Sequence, residues 1–556
     1  MDDRVNAIEN KIDDWMYENL NPDIPRYKYI YHCNLAYIDI MVESKMLFSP
    51  FERHYLFSLN YNTHIAYMKL NEEDEFDYIF DHNVYLQAFD MILLGMEYSM
   101  LCDVFPLLHS DEAVMSIKDN DIYFDFEEMP KRHYKFINDF SMRKLLSYTL
   151  QMANGRCEKK SYDDEEIAMK LADLYMHFWN ENMLPSDYEP YTGMDWGGIS
   201  FFLILAAMRR FNKLYKKDFD IVSLDSQKMM ILMSPNGVRK MRTFVPSEDD
   251  DMYELALKDH VYQPKGKGLF PKANITDAPL IRTKDGYIFA NSLVVLFNDS
   301  LETQFLNYLR RCDNPRYLRI KDKIKERVIP LIQEMVKYKF SNIQSIVNFN
   351  VRMLTHKKNK RECDLLLVDN TGVALYLEIK HFYNPQSYGE IKVLDKELKK
   401  ALNKMPDQLE AIKVNWEMLK KQHGILWDLK ELYGVIVSHR YTGYNVDVRP
   451  ETPIVNYSDL FESIAESSCL KEIYLGCREI DELYPKITFI QKEIPIDFAG
   501  YTFHLYGEAL DPVCEIIVGQ SYKKQIYRSL TSTSPTSYKN VQELARAYVD
   551  EIEKNK

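Results

Sequence analysis

Cysteine is sparse and scattered in this chain. Cys33, Cys102, Cys157, Cys312, Cys363, Cys469, Cys477 and Cys514 lie far apart, with no CxxC pair and no zinc-ligand spacing, which excludes a cysteine-built zinc site and a disulfide framework. Free thiols in a reducing, cytoplasmic setting are the expectation. Long apolar runs are missing as well. The longest, GISFFLILAAM, ends at Arg209 and Arg210, short of the roughly 18 residues that a membrane-spanning helix needs, so no membrane partner is expected. The opening stretch MDDRVNAIENKIDDW is acidic and lacks the charged-then-apolar layout of a secretory signal. There is no GxxxxGK[ST] phosphate loop, no HExxH pair and no internal repeat.

What the 556 residues do contain is ordinary globular material, 46% hydrophobic and 28% charged, enough for about two to four domains. Charge is distributed unevenly. The net charge is -14, and residues 1–150 hold 27 acidic against 13 basic side chains, so the entire excess lies in the first quarter. Overall acidity argues against a simple DNA-coating protein, while the balanced remainder leaves room for a local basic surface.

Apolar residues recur at helical spacing through the first 245 residues, notably in 84–105, 165–184 and the run ending FLILAAMRRFNKLY. The polar insert at 70–81 reads as a solvated loop, and VPSEDDDMYE at 245–254 as a break. QPKGKGLFPK after it has the composition of a connector. APLIRTKDGYIFANSLVVLF reads as a strand, a turn at Lys284 to Gly286, and a second strand or helix start. Then follow a helix at 317–337 that Pro330 kinks or divides, and an alternating strand at 345–353. A hairpin of CDLLLVD and VALYLEIK comes next, then two amphipathic helices interrupted by Pro406, and an interior strand, YGVIVS. The order is α-β-β-β-α-β.

The hairpin carries the chemistry. A three-residue loop of Asn370, Thr371 and Gly372, with Gly372 left-handed, pairs Asp369 with Val373, and the same register sets Asp364 opposite Glu378. Lys380 shares that face by strand alternation. Two carboxylates so close must share a proton or a cation, and oxygen ligands of this kind suit Mg²⁺ or Mn²⁺. Leu375, Tyr376, Leu377 and Ile379 make both faces largely apolar. Burying Asp, Glu and Lys among them is costly without partners.

Asp364, thirteen intervening residues, then Glu378-Ile379-Lys380, set in that element order, resembles the PD-(D/E)XK, or restriction-endonuclease-like, superfamily over residues 315–465. The resemblance implies metal ligation by Asp364, Glu378 and the main-chain carbonyl of Ile379, with Lys380 as the catalytic lysine. It further implies that Glu326, or Glu334 in its place, completes the site from the preceding helix, and that Gln408 lies near it from the following one. Glu362, two residues before Asp364, shares its face by strand alternation and could supplement or confuse the ligand set, and Cys363 stands where the family name has proline.

Basic surface flanks the motif: residues 310–330 carry eight basic side chains against three acidic ones, and Lys392, Lys396, Lys399 and Lys400 lie off the buried stripe of Ile391, Leu394, Leu398 and Leu402. In the helical part, Arg26 and His32 have the spacing of the pair in HEPN ribonucleases. Tyr27 departs from the small polar residue usual there, so a chance pairing is expected. His381 should point away from Lys380.

The expected protein has a multidomain α plus α/β architecture. An acidic α-helical regulatory or recognition domain spans 1–245, a restriction-endonuclease-like α/β domain with a mixed central sheet spans 246–510, and a linker with a C-terminal helix spans 511–556. The expected activity is metal-dependent cleavage of nucleic acid, DNA before RNA, which by analogy suits bacterial defence against foreign DNA. An inactive nuclease-fold scaffold and an RNA-cleaving enzyme are the alternatives. The acidic first part is expected to restrain the nuclease by covering its basic surface or by binding a regulatory partner; a homo-oligomer is also open.

Overall fold

In the computed structural model, the described residues are 3–21, 23–43, 52–126, 193–215, 225–243, 249–264, 273–296, 301–352, 360–382, 385, 388–483 and 489–510. The expected helix at 165–184, the linker and helix of 511–556 and most of the loop at 263–272 lie outside them. The described residues group into two compact units, one drawn from Met1–Glu127, Phe140–Ile320 and Glu493–Gly507, the other from Lys321–Lys492 and Glu508–Lys556. Residues 246–320 thus belong with the helical part, and the acidic stretch near 245 leads into a helix that Asp249 caps by accepting the Asp251 N–H at 2.8 Å. Removal of residues 1–245 would cut through the first unit.

The first unit is mainly helical: α1 (Asp3–Glu18), α2 (Arg26–Glu43), α3 (Glu52–Lys69), α4 (His82–Leu108), α5 (Gly193–Tyr215), α6 (Pro235–Arg242), α7 (Asp250–His260), α8 (Ser292–Leu296) and α9 (Leu301–Cys312). Helix α4 begins where Asp81 accepts the N–H groups of Asn83 and Val84. By length and composition it is apolar enough to cross a membrane, although Asp90, Glu97 and Asp103 interrupt its apolar runs. Within its most apolar window 56% is buried inside the protein, as in a core helix. Two small sheets accompany the helices. β3 (Met230–Met233), β5 (Ile288–Asn291) and β4 (Ile281–Arg282) form one, with Gly286 left-handed in the expected turn. β1 (Ala113–Lys118) and β2 (Asp121–Phe126) join β12 (Tyr501–Leu510) and β11 (Phe489–Phe498) in the other.

The insert at 70–81 is more than a solvated loop. Glu73 accepts the N–H groups of Tyr27 and Lys28 at 3.1 and 2.9 Å, satisfying donors in the first turn of α2, and Phe76 stacks on Phe289 at 5.1 Å.

The second unit is built on a five-stranded mixed sheet ordered β10-β9-β8-β7-β6. Helix α10 (Asn314–Lys339) leads into β6 (Ile343–Arg352), β7 (Lys360–Asp369) and β8 (Val373–Lys380), an antiparallel run. Helices α11 (Tyr388–Val414) and α12 (Trp416–His423) then cross to β9 (Glu431–Ser438), which lies parallel to β8 and to β10 (Ile454–Asn456). The expected interior position of YGVIVS is therefore the observed one. Helices α13 (Tyr457–Glu466) and α14 (Leu470–Leu483) close the unit. Gly434 faces α11, where a Cβ would come within 2.7 Å of Met405 Sδ, and Tyr433 on the opposite face stacks on Tyr474 of α14 at 4.3 Å. The sheet is covered on both sides.

Neither proline divides its helix. Both α10 and α11 run through Pro330 and Pro406, and the break after the motif falls at Asn415. An interior proline costs about 3 kcal/mol. In α11 the buried stripe Leu398, Ala401, Leu402, Met405, Ala411 and Ile412 continues on both sides of Pro406, and its packing offsets that cost.

His504 on β12 lies between two carboxylates. Nε2 is 3.0 Å from Asp121 and Nδ1 is 2.5 Å from Glu493, with the ring stacked on Tyr123 at 4.2 Å. Only an imidazolium donates at both nitrogens. Asp121, then Glu493, hold its pKa above the ordinary histidine value. A raised histidine pKa stabilises the fold fully below the unfolded value of roughly 6.5, and this contribution fades as pH rises through the folded value. Thermal melts from pH 6 to 9 should show a steeper decline in midpoint for the wild type than for His504→Gln; equal slopes would contradict the bridge.

Candidate active site

The hairpin adopts the register expected from its turn. Gly372 is left-handed at φ 85°, its N–H donates to the Asp369 carbonyl at 3.1 Å, and the ladder runs from Val368 with Ala374 to Leu365 with Leu377. Side chains along this stretch are fully enclosed: Leu365, Leu366, Leu367, Leu375, Tyr376 and Leu377 are each 0% exposed. One step further along the same register, Asp364 and Glu378 stand across from each other.

At that step the two strands stop pairing through their backbones. The Ile379 N–H donates instead to Asp364 Oδ2 at 2.8 Å. Asp364 is buried, and the peptide donor compensates part of the cost of placing a carboxylate there. Glu378 is also enclosed, with three donors around it. Lys380 Nζ lies 2.6 Å from Oε1, Gln408 Nε2 lies 3.3 Å from Oε2, and the Tyr376 hydroxyl donates to the same Oε2. Gln408 also donates to the Tyr376 hydroxyl at 3.1 Å.

Burial by itself would raise the pKa of Glu378. The Lys380 ammonium, helped by hydrogen bonds from Lys380, Tyr376 and Gln408, outweighs it and holds the carboxyl below its ordinary value. Desolvation and then the neighbouring Glu378 charge push the Tyr376 phenol well up, so it stays a neutral donor. The result is an ionised, mostly buried glutamate, beside a lysine whose side chain is 30% exposed and marks the open side of the cluster.

Of the residues singled out in the sequence, Asp364, Glu378, Ile379, Lys380 and Gln408 come together. Glu326 lies on α10, but its side chain is outside the described residues. Glu334 is half-buried on the same helix, in a segment whose Leu331 and Met335 pack against Ala465 and Phe461 of α13. No hydrogen bond or ion pair among the described residues joins it to the cluster. Glu362 is exposed opposite Asn350, and Cys363 rather than Glu362 lies against Tyr376, so strand alternation from Asp364 misplaced it. His381 stacks on His439 at 4.6 Å.

Sequence reasoning missed Tyr376. The signal was available, since a residue two before Glu378 on a strand shares its face. On α11, Lys400 chiefly, with Lys380 and Lys404 contributing, holds the Glu397 carboxyl below its ordinary value. The HEPN-like pair is structural. His32 Nδ1 lies 2.7 Å from the Lys28 carbonyl and Nε2 accepts the Asp81 N–H at 2.9 Å, while Arg26 donates to the Leu70 carbonyl.

No protein-family model, curated protein or solved structure matches this chain.

Because the Tyr376 hydroxyl satisfies a buried, ionised acceptor, its loss is felt in stability. Tyr376→Phe should cost about 1–2 kcal/mol in denaturant unfolding. An unchanged midpoint would contradict the hydrogen bond.

Proposed function

We propose that this cluster is the active site of a divalent-metal-dependent nuclease, with DNA as the expected substrate. The observation that carries this reading is the end of the β7–β8 ladder, where Asp364, Glu378 and Lys380 meet in an otherwise apolar sheet.

Mg²⁺ or Mn²⁺ fits the donor set. Two carboxylates and a main-chain carbonyl are hard oxygen ligands, and a set this small leaves positions for water and phosphate oxygens. Among the described residues no three His, Cys, Asp or Glu side chains gather into a cage of their own, which is compatible with such an open site. Asp364 and Glu378 would hold the ion. The Ile379 carbonyl is oriented for the same task, because the N–H and C=O of one strand residue point to the same side, and this N–H points at Asp364. Lys380, whose own carbonyl accepts the His439 N–H on the β9 side, brackets it. When bound, such an ion polarises a phosphoryl oxygen and neutralises charge as the diester is attacked in line.

The other groups act around it. Lys380 would hold a non-bridging oxygen or assist deprotonation of the attacking water. Tyr376 and Gln408 keep Glu378 oriented and ionised. Lys396, Lys399, Lys400 and Lys404 on α11 offer positive charge to the phosphate backbone.

Incubation of the protein with plasmid, single-stranded DNA and RNA, with Mg²⁺ or Mn²⁺ and with chelator, tests this. Metal-dependent cutting of DNA is expected, reduced by about 10²-fold or more in Asp364→Ala and Lys380→Ala. Cutting that survives either substitution would remove the site assignment. Cutting of RNA alone would move the substrate, and no cutting of anything would favour a binding scaffold built on this fold.

A further inference from the structure

One residue inside a strand of the second unit has a left-handed backbone. Asn348, in the middle of β6, has φ 47°; the other non-glycine residues with positive φ among the described residues, Asp111, Asp119 and Ala499, all lie in turns between elements. Asparagine tolerates this conformation better than most residues, yet it still costs free energy, and such strain is retained where the surroundings require it.

The β6–β7 ladder shows what the strain accomplishes. Pairing runs from Ile343 with Asp369 to Val347 with Leu365, and resumes at Phe349 with Cys363 in the same register. The step between sets Asn348 across from Asp364 and carries no backbone pair. No residue is inserted, but the faces exchange. Before it, Ile346 is buried and Val347 exposed at 38%; after it, Phe349 and Val351 are buried and Asn350 is exposed. Contacts confirm the change of face. Val347 is opposite Leu365, which pairs with Leu377 on the side away from Tyr376, whereas the Phe349 ring lies edge-on to Tyr376 at 6.5 Å and the Cys363 thiol lies beside it.

We infer that Asn348 is a positioning residue for Asp364. Its left-handed backbone turns β6 and β7 over together at one step, which swings the Asp364 carboxylate out of the ordinary side-chain direction and into line with the Ile379 amide. The same turn brings Phe349 and Cys363 under the Tyr376 ring that orients Glu378. An extended residue at 348 would keep the regular alternation and send Asp364 to a sheet face. The link to catalysis rests on the reading of Asp364 as a metal ligand; the geometric claim does not.

The test uses the full chain with Asn348→Gly, Asn348→Ala and Asn348→Val. Glycine adopts positive φ freely, alanine less so and the β-branched valine least. Hydrogen exchange resolved at the Ile379 amide, by mass spectrometry with residue-resolving fragmentation, reports the Asp364 contact directly. Metal-dependent cleavage is measured on the same samples. Asn348→Gly should keep Ile379 protected and cleavage within about 3-fold of wild type, while Asn348→Val loses the protection and at least about 10-fold in cleavage, with Asn348→Ala between. Should Asn348→Val fail to fold, the comparison of Asn348→Gly with Asn348→Ala still decides. Equal protection of Ile379 across the series, or its loss in Asn348→Gly, would overturn the inference. A wild type that cleaves nothing would remove the nuclease reading and leave the exchange result to judge Asn348 alone.

Discussion

The hydrogen bond from the Ile379 amide to the Asp364 carboxylate is the contact on which the rest of the second unit's chemistry depends. An antiparallel ladder satisfies its amides with carbonyls, and a ladder that continued past Leu365 would leave Asp364 buried without that donor. Substituting a side-chain acceptor for a backbone one ends the pairing, opens the strands and leaves Glu378 and Lys380 at the opening. The enclosed leucines behind this point make the opening a fixed feature, because a shift of register by one residue would turn every one of them over.

Around that contact the charges are mutually arranged. Glu378 stays ionised despite burial because Lys380, Tyr376 and Gln408 all address it, and they come from three different places: two residues after it, two residues before it, and the middle of α11. The continuity of α11 through Pro406 matters here. A helix that ended at the proline would not carry Gln408 on the same buried stripe as Leu402 and Met405.

Much of this was legible in the sequence, for local reasons. The turn chemistry of Asn370-Thr371-Gly372 sets the hairpin register, and that register sets Asp364 opposite Glu378. β-Branched composition marked YGVIVS as an interior strand. What could not be read locally was decided by packing: helices continued through two prolines, and the loop at 70–81 was drawn in by α2 and Phe289. The change of face at Asn348 was hidden because Asn in a polar-alternating strand gives no sign of its backbone conformation. Alternation therefore misassigned Glu362. The acidic break near 245 failed to mark a unit boundary because an aspartate run serves equally well as a helix start, which is what Asp249 does.

The proposed metal-dependent cleavage requires Asp364 and Glu378 to bind one divalent cation together. Titration of the intact protein with Mn²⁺, with free ion followed by electron paramagnetic resonance, measures this without any assumption about substrate. Saturable uptake by the wild type that is lost in both Asp364→Asn and Glu378→Gln is the predicted result; uptake that persists unchanged in either variant would contradict it.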